Sequence, residues 1–326
     1  MGALLCLLSA AGFGAMGIFG KLAYEDGVGV GDLLLVRFAL ASLLLLAVAG
    51  ARGALRGLSR RGLLAGLGMG AIGYAAQSGL FFGALERMDA SLLVLILYVY
   101  PATVLLGAVL LGRERATPRR IAALVVALAG IVLVLGSAAS GGLDALGTAM
   151  GLGSALTYTV YILAGDRLGV GVPPVALAAL VCVGATGTFA IATVVRGGAD
   201  LGTVAGAWPA IAGIVLVSTV GAILTFFAGL ARVGPSAASI LSTLEPVVTV
   251  SLAAAAFGEM LAPVQLLGGA LVLAAVVVMQ WPARRAAERP YAQAGGSGVS
   301  SATPTGAPAA TSATASTSRC ASVSSL

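Results

Sequence analysis

Long apolar runs recur along this chain, and most charged residues lie between them. The runs include 33–50, 90–112, 121–137, 201–230 and 264–281. A helix needs roughly 20 apolar residues to cross the hydrocarbon core of a bilayer, which is about 30 Å thick. Inside lipid the backbone has no water to bond, so each crossing segment must satisfy its own polar groups as a helix. The pattern predicts an all-α membrane protein that crosses the bilayer many times.

Charges, prolines and turn residues divide the apolar sequence into ten predicted transmembrane helices. These spans, numbered 1 to 10 along the chain, are 3–22, 31–50, 62–85, 90–111, 119–137, 143–164, 173–195, 207–230, 236–257 and 263–281. Pro101 lies in span 4 and Pro246 in span 9. Proline removes a backbone donor and clashes with the preceding turn, so we expect a helix break at each.

The sequence repeats itself at a constant offset of 145 residues. The matched residues of the first copy are Ser9, Ala10, Gly20, Phe82, Leu85, Arg87, Ser91, Pro101, Glu114 and Pro118, and each recurs 145 positions later. The offset predicts two five-helix repeats, at 3–137 and 143–282. Because five is an odd number, the second repeat is expected to be inverted across the membrane, an arrangement found in many transporters.

Composition agrees with a membrane protein and limits the classes of function. Hydrophobic residues make up 59% of the chain and charged residues 9%, whereas soluble domains carry about 25% charged residues. Basic residues cluster in the loops after spans 2 and 4, which predicts that both termini are cytoplasmic in a cell membrane. The net charge of +6 follows from this topology, so we expect a lipid bilayer and no nucleic acid as partner. The sequence leaves open whether copies of the chain form a homo-oligomer.

Several chemistries are not expected from the sequence. The chain has no histidine, and its three cysteines are isolated from one another, so no metal-ligand spacing is present. It also lacks a phosphate-binding loop of the Walker type. We therefore expect no metal, no cofactor and no enzymatic activity. Residues 283–326 consist mainly of Gly, Ser, Thr, Ala and Pro, which predicts a disordered cytoplasmic tail.

Two ionisable side chains are predicted inside the membrane, where their cost makes them candidates for function. Glu245 lies near the middle of span 9 with Ser242 on the same helical face, and Arg37 lies several residues inside span 2. Glu245 could bind a proton or a substrate amine, or it could be a buried hydrogen-bonding group that holds the bundle together. For Arg37 a structural role is favoured, either by reaching the interface or by pairing with an acid. An ion pair between Arg37 and Glu245, for coupling or for structure, is one expectation.

Polar and aromatic residues at helical spacing predict a central cavity. Tyrosine joins an apolar ring to a hydroxyl group and so suits an amphipathic metabolite. Packing between helices, with each hydroxyl group bonded, is the alternative. The candidate lining residues are Phe13 in span 1, Tyr74 and Gln77 in span 3, Tyr100 in span 4, Tyr158 and Tyr161 in span 6, and Ser242 and Glu245 in span 9.

The matched residues Glu114 and Glu259 lie just beyond a span, on opposite sides of the predicted membrane. A position at the membrane interface is sufficient to explain an acidic residue there. A contact that closes a gate is the alternative.

A short motif in each repeat resembles a known family. The second repeat carries Thr243, Leu244, Glu245, Pro246 and Val247, followed by Gly258, Glu259 and Pro263; the first carries Tyr98, Val99, Tyr100 and Pro101, followed by Arg113, Glu114 and Pro118. These residues are similar to EamA-type carriers of the drug/metabolite transporter superfamily, over about residues 3–282. The resemblance implies ten spans in two repeats, and a cavity surrounded by spans 1, 3, 4, 6, 8 and 9. It also implies an inner-membrane carrier of small metabolites, often an exporter of amino acids or related compounds.

The chain also departs from the family pattern. The family often carries a tryptophan in span 1, where residues 11–14 are Ala-Gly-Phe-Gly, and Tyr100 stands where the second repeat has Glu245. The motifs therefore do not identify a substrate. The leading hypothesis is a secondary carrier of a small organic solute that works by alternating access, with export favoured. The alternatives are an integral membrane enzyme or lipid-processing protein that uses Glu245 and Arg37, and a membrane scaffold or sensor that acts through its tail.

Overall fold

A computed structural model describes residues 1–113, 117–139, 144–168 and 171–280. All secondary structure in these ranges is helical. The expectations for Glu114 and for the 283–326 tail concern residues that lie outside the described ranges.

Sixteen α-helices and two π-helical segments follow one another along the described chain. In the first half they are α1 (Gly2–Gly14), α2 (Met16–Glu25), α3 (Val30–Ala51), α4 (Arg60–Gly68), a π segment (Met69–Tyr74), α5 (Ala75–Leu85), α6 (Ala90–Leu97), α7 (Tyr100–Leu110) and α8 (Pro118–Ala139). In the second half they are α9 (Ala145–Leu168), α10 (Pro174–Val195), α11 (Leu201–Gly206), α12 (Trp208–Ala212), a π segment (Gly213–Gly221), α13 (Ala222–Val233), α14 (Pro235–Ser242), α15 (Leu244–Phe257) and α16 (Pro263–Gln280).

Nine segments of the described chain are long and apolar enough to cross a membrane. The predicted span at 62–85 is not among them, although α4, the first π segment and α5 make it helical from Arg60 to Leu85. Glycines and the polar residues Gln77 and Ser78 dilute its apolar residues. The all-α membrane fold is confirmed, whereas the count of ten spans stays a prediction.

Two spans are interrupted immediately before a proline. In span 4, α6 ends at Leu97 and Pro101 is the second residue of α7; in span 9, α14 ends at Ser242 and Pro246 is the third residue of α15. A proline ring clashes with the carbonyl group four residues earlier. That carbonyl belongs to Leu97 in the first case and to Ser242 in the second, so each helix stops where the clash would begin.

Equivalent serines make equivalent contacts in the two halves. Ser9 donates a hydrogen bond of 2.8 Å to the carbonyl oxygen of Ala222, and Ser154 donates one of 3.1 Å to the carbonyl oxygen of Gln77. The 145-residue offset relates Ser9 to Ser154 and Gln77 to Ala222. The two hydrogen bonds are therefore equivalent: in one the first half donates to the second, and in the other the second half donates to the first. This is expected from a pseudo-twofold relation.

The last helices of the two halves, α8 and α16, pack closely in antiparallel directions. A Cβ atom on Gly130 would lie 2.6 Å from the carbonyl oxygen of Gly268. Nearer the start of α8, Arg119 donates a hydrogen bond of 2.6 Å to the carbonyl oxygen of Val278 near the end of α16. Because α8 and α16 are equivalent in the repeats and run in opposite directions, the second half is inverted relative to the first.

Helices α3 and α10, also equivalent in the repeats, are antiparallel as well. Asp32 at the start of α3 forms an ion pair of 3.3 Å with Arg196 just after α10. About two turns further into each helix, the rings of Phe38 and Phe189 stack with centroids 5.8 Å apart. Residues from both helices lie in the main hydrophobic cluster, which centres the core between the two halves.

Large apolar side chains cover much of the outer surface. Leu64, Ile191 and Val194 are 68%, 69% and 76% exposed. In a soluble protein so much apolar surface would drive association, whereas lipid chains solvate it.

Gly184 in α10 is a site where even one methyl group does not fit. A Cβ atom there would collide with the carbonyl oxygen of Leu67 and lie 2.8 Å from the backbone nitrogen of Ala71. We expect Gly184→Ala to lower the unfolding free energy by about 1–3 kcal/mol, the usual cost of overpacking. Thermal unfolding of the purified protein in detergent measures the effect.

Gly187 in the same helix is the matched control, because a Cβ atom there meets nothing within 4 Å in the described structure. Alanine favours a helix over glycine, so Gly187→Ala should leave the melting temperature unchanged or raise it. Equal melting temperatures for the two variants would contradict the close approach of α10 to α4.

Candidate functional site

A cavity of about 360 Å³ lies between the two halves. This volume is within the range of pockets that bind small molecules. Its described lining comes from helices of both repeats, and it includes all eight side chains that the sequence predicts for it. These are Phe13, Tyr74, Gln77, Tyr100, Tyr158, Tyr161, Ser242 and Glu245. Their assignment as substrate-binding residues stays a prediction.

Five tyrosine rings form a continuous wall of the cavity. Ring centroids are 5.9 Å apart for Tyr98 and Tyr100, 4.7 Å for Tyr100 and Tyr158, and 6.1 Å for Tyr158 and Tyr161. Tyr74 completes the wall, with its ring centroid 5.6 Å from that of Tyr161. Aromatic pairs at these separations stabilise one another, so the wall presents a fixed apolar surface edged by hydroxyl groups.

Glu245 lies at the helix break of span 9 and is joined there to Tyr98 from the other half. The Tyr98 hydroxyl group is 2.9 Å from the carbonyl oxygen of Ser242, the group displaced by Pro246, and 3.1 Å from Oε2 of Glu245. A hydroxyl group carries one proton and serves one acceptor fully at a time. Both contacts become full hydrogen bonds only if Glu245 is protonated and donates to the tyrosine oxygen. The arrangement is therefore chemically suited to a carboxyl group that gains and loses a proton.

Two hydroxyl groups on the same face as Glu245 are bonded to backbone. The Ser242 hydroxyl group donates a hydrogen bond of 3.0 Å to the carbonyl oxygen of Ala238, one turn earlier in α14. The Thr249 hydroxyl group donates a hydrogen bond of 2.9 Å to the carbonyl oxygen of Gly14, where α1 ends. The first bond lies within α14, whereas the second joins α15 to α1 beside Glu245.

Arg37 projects from α3 into the cavity and is only 1% exposed. Its Nε donates a hydrogen bond of 3.1 Å to Thr219 Oγ1, and its Cζ lies 4.9 Å and 5.2 Å from the ring centroids of Phe38 and Phe82. Arg37 and Glu245 are the two charged side chains in the described lining.

The expected ion pair between Arg37 and Glu245 is not formed within the described structure. Thr219 takes up part of the guanidinium group and Tyr98 bonds the carboxyl group, so each charge has a hydroxyl partner in place of the other. The alternative in which Arg37 reaches the membrane interface also fails, because the side chain is enclosed. The sequence could not show that the two groups bond to different partners, Thr219 and Tyr98.

Gln77 and Ser154 connect α5 to α9. Gln77 Nε2 donates a hydrogen bond of 3.2 Å to the Ser154 hydroxyl group, which in turn donates one to the carbonyl oxygen of Gln77. The side chain that was predicted to line the cavity thus also anchors the helix that carries Tyr158 and Tyr161.

One end of the bundle is closed by Glu259, which follows α15. Its Oε1 lies 2.6 Å from Lys21 Nζ, and its carboxylate accepts hydrogen bonds of 3.1 Å and 2.9 Å from the backbone N–H groups of Ala90 and Ser91. These two groups begin α6, where backbone donors lack helical partners and negative charge is favoured. Burial by itself would raise the pKa of Glu259, but hydrogen bonds from Lys21 and Ser91 prevail and lower it below the usual value.

The contact of Glu259 joins the two repeats next to the cavity. Lys21, Ala90 and Ser91 belong to the first half and Glu259 to the second, and Ala90 also lines the cavity. The opposite extreme of the lining is formed by Pro174 and Gln280, the first residue of α10 and the last of α16.

Comparison with protein families gives the same two-part division as the internal repeat. The family model for EamA-like transporters matches residues 1–136 and again residues 145–281. The chain belongs to the EamA-like transporter family. No match was found among curated proteins. A solved structure titled "Crystal structure of protein" covers 85% of this EamA-like chain and 96% of its own, with a TM-score of 0.63 and 20% identity, which shows a shared fold.

Family membership makes this EamA-like protein a multi-pass membrane transporter of the drug/metabolite transporter superfamily, built from two repeats. The resemblance inferred from the sequence motifs is thereby confirmed. The family is one of transporters. Neither its name nor the related structure assigns a role to any residue of the cavity.

Three residues of the EamA-like site were missed as candidates by sequence reasoning: Tyr98, Thr219 and Cys182. The repeat offset could have found two of them, since Thr219 is equivalent to Tyr74 and Cys182 to Arg37. Cys182 also lines the cavity. Tyr98 entered only as part of the first repeat's motif, and no sequence pattern indicates its bond to the broken helix.

The low pKa of Glu259 predicts acid sensitivity of the closed end. Because the pKa is lower in the folded protein than in the unfolded chain, the contact stabilises the fold above the unfolded-state pKa of about 4.5 and loses that effect as pH falls through the folded-state value. We expect the melting temperature of the wild type to decrease when the pH is lowered from 7 to about 3.5. The decrease should be smaller in Glu259→Gln.

The matched control for this pH series is Asp26→Asn, which alters an exposed acid at the same end of the bundle. Its pH dependence should match the wild type. A Glu259→Gln variant with the full wild-type decrease would show that the carboxylate does not stabilise the closed end.

Proposed function

We propose that this protein is a secondary carrier that moves a small amphipathic metabolite, such as an amino acid or a related compound, across the cell membrane by alternating access. The observation that carries the proposal is the cavity between two inverted repeats that are joined across one end by Glu259. Inverted repeats around a central site are the architecture of many alternating-access carriers. One acidic and one basic side chain among tyrosine rings support a solute with both polar and apolar parts.

The proposed direction is export. If the positive-inside rule holds, the Pro174 and Gln280 end of the cavity faces the cytoplasm and the Glu259 end faces outward. This structure then corresponds to a state that loads from the cytoplasm, with its outer end closed. A cysteine placed at exposed Thr117 should not react with an impermeant maleimide in intact cells and should react once the cells are permeabilised. Labelling from outside would reverse the proposed orientation, whereas a cysteine at exposed Asp26 should show the opposite pattern.

We further propose that Glu245 is the proton-coupling group of the carrier. Tyr98 can bond both Glu245 and the Ser242 carbonyl oxygen fully only when Glu245 is protonated, and loss of that proton would draw the Tyr98 proton to the carboxylate and weaken its hold on Ser242. Proton transfer would thereby change the support of the broken helix in span 9. The alternative, in which Glu245 binds a substrate amine, shares the same carboxylate and is separated by experiment.

Flux in proteoliposomes, with a panel of amino acids and related metabolites with and without a pH gradient, tests the carrier. We expect Glu245→Gln to abolish accumulation driven by the pH gradient but to retain counterflow exchange, because glutamine can mimic the protonated carboxyl group and cannot release a proton. Glu25→Gln, at an exposed acid outside the cavity lining, is the control and should behave as wild type. Loss of both activities in Glu245→Gln would favour amine binding, and intact gradient-driven transport would make Glu245 structural.

A further inference from the structure

Arg37 is a buried cation that the described protein leaves incompletely bonded. Its Nη1 has no hydrogen-bond partner in the described structure, although the side chain is 1% exposed. Within the described residues no carboxylate lies within ion-pair distance of it. A buried charge without a partner is costly. The groups from other helices that interact with it electrostatically are Tyr24, Tyr74 and Cys182, which are uncharged in their protonated forms. Of these, Tyr74 also lies within hydrogen-bonding reach of the guanidinium group.

The guanidinium group is held in position on its other edge. Thr219 accepts the hydrogen bond from Nε and donates its own proton to the carbonyl oxygen of Ile214, 2.8 Å away and five residues earlier. Both residues lie in the π segment Gly213–Gly221, and π-helical turns occur frequently at functional sites. With Nε fixed and two rings beside the cation, the unbonded edge has a defined place in the cavity wall.

The two repeats differ at this point, and the difference makes the site one-sided. The position equivalent to Arg37 is Cys182, and the position equivalent to Thr219 is Tyr74. A symmetric pair of arginines would give the cavity two cations, whereas the described lining contains one cation and one acid. A single guanidinium group matches the charge of a carboxylate, while a phosphate group carries a charge closer to two.

We propose that Arg37 binds the carboxylate of the transported solute, with Nη1 donating a hydrogen bond to it, while the rest of the solute lies against the tyrosine wall. This inference rests on the proposed carrier function and adds a requirement to it, since the solute must bear a carboxylate. The Tyr74 hydroxyl group lies within hydrogen-bonding reach of the guanidinium group, but neither Tyr74 nor Glu245 bonds Nη1, so Nη1 is available to the solute. The same unbonded edge could hold a small inorganic anion, and the experiment separates that case.

The experiment uses the purified full-length protein in proteoliposomes and pairs of solutes that differ only by the carboxylate. L-phenylalanine and phenethylamine form one pair, and L-leucine and 3-methylbutylamine form another. We expect the wild type to exchange the carboxylate member of each pair at least about tenfold faster than the amine member. The amine cannot form the charge-assisted hydrogen bond to the buried guanidinium group. Thermal stabilisation in detergent should follow the same preference.

Arg37→Gln should lower exchange of the carboxylate solutes by about tenfold or more, and Arg37→Lys by less, because lysine retains the charge but not the planar set of donors. Arg232→Gln, at an exposed cation in α13, is the matched control and should retain wild-type exchange. Size-exclusion chromatography checks that each variant is folded. If the Arg37 variants do not fold, the preference of the wild type between paired solutes still tests the proposal.

Three outcomes would overturn the inference. Equal exchange of the amines and the carboxylates by the wild type would show that Arg37 does not select a carboxylate, while leaving the carrier function intact. Equal stabilisation by chloride at the same concentration would assign the site to an inorganic anion. If no solute of the wider metabolite panel is exchanged at all, the carrier function fails and this inference fails with it.

Discussion

A polar group inside the bilayer has no water to bond, and this constraint governs the structure. Pro246 leaves the carbonyl group of Ser242 without a helical donor, and the Tyr98 hydroxyl group of the other repeat supplies one. Thr249 serves the carbonyl oxygen of Gly14 in the same way at the end of α1. Both of these irregularities are thus satisfied by a side chain of another helix, so the two contacts bind the bundle together.

The cavity is where that constraint is met incompletely. Glu245 shares one tyrosine proton with a backbone carbonyl group, and Arg37 retains an unbonded nitrogen. Both would be expensive in a protein that served only as a scaffold. The pseudo-twofold relation explains the packing around them, because Ser9 and Ser154 make the same contact in opposite halves. The departures from symmetry, with Arg37 opposite Cys182 and Glu245 opposite Tyr100, coincide with the chemistry of the cavity.

Most of the fold could be predicted because its causes are local and repeated. Apolar runs define helices, Pro101 and Pro246 define breaks, and the offset defines the halves. The cavity residues were predictable because helical spacing places Tyr158 and Tyr161 on one face. The relation between Arg37 and Glu245 was not, since hydropathy contains no information on the distance between two helices. The π segments were also invisible, because one extra residue per turn leaves no mark on an apolar pattern.

Glu259 gives the closed end of the bundle a particular kind of cooperativity. The same carboxylate holds the Lys21 ammonium group and the first two backbone donors of α6, Ala90 and Ser91. Moving it away uncovers a cation and a helix terminus together, whereas returning it restores both. A partly separated arrangement retains the full desolvation cost of each group and little of the attraction. The two repeats at this end should therefore separate in a single step, after which Lys21 keeps the weaker partner Asp89, 3.8 Å away in the same repeat.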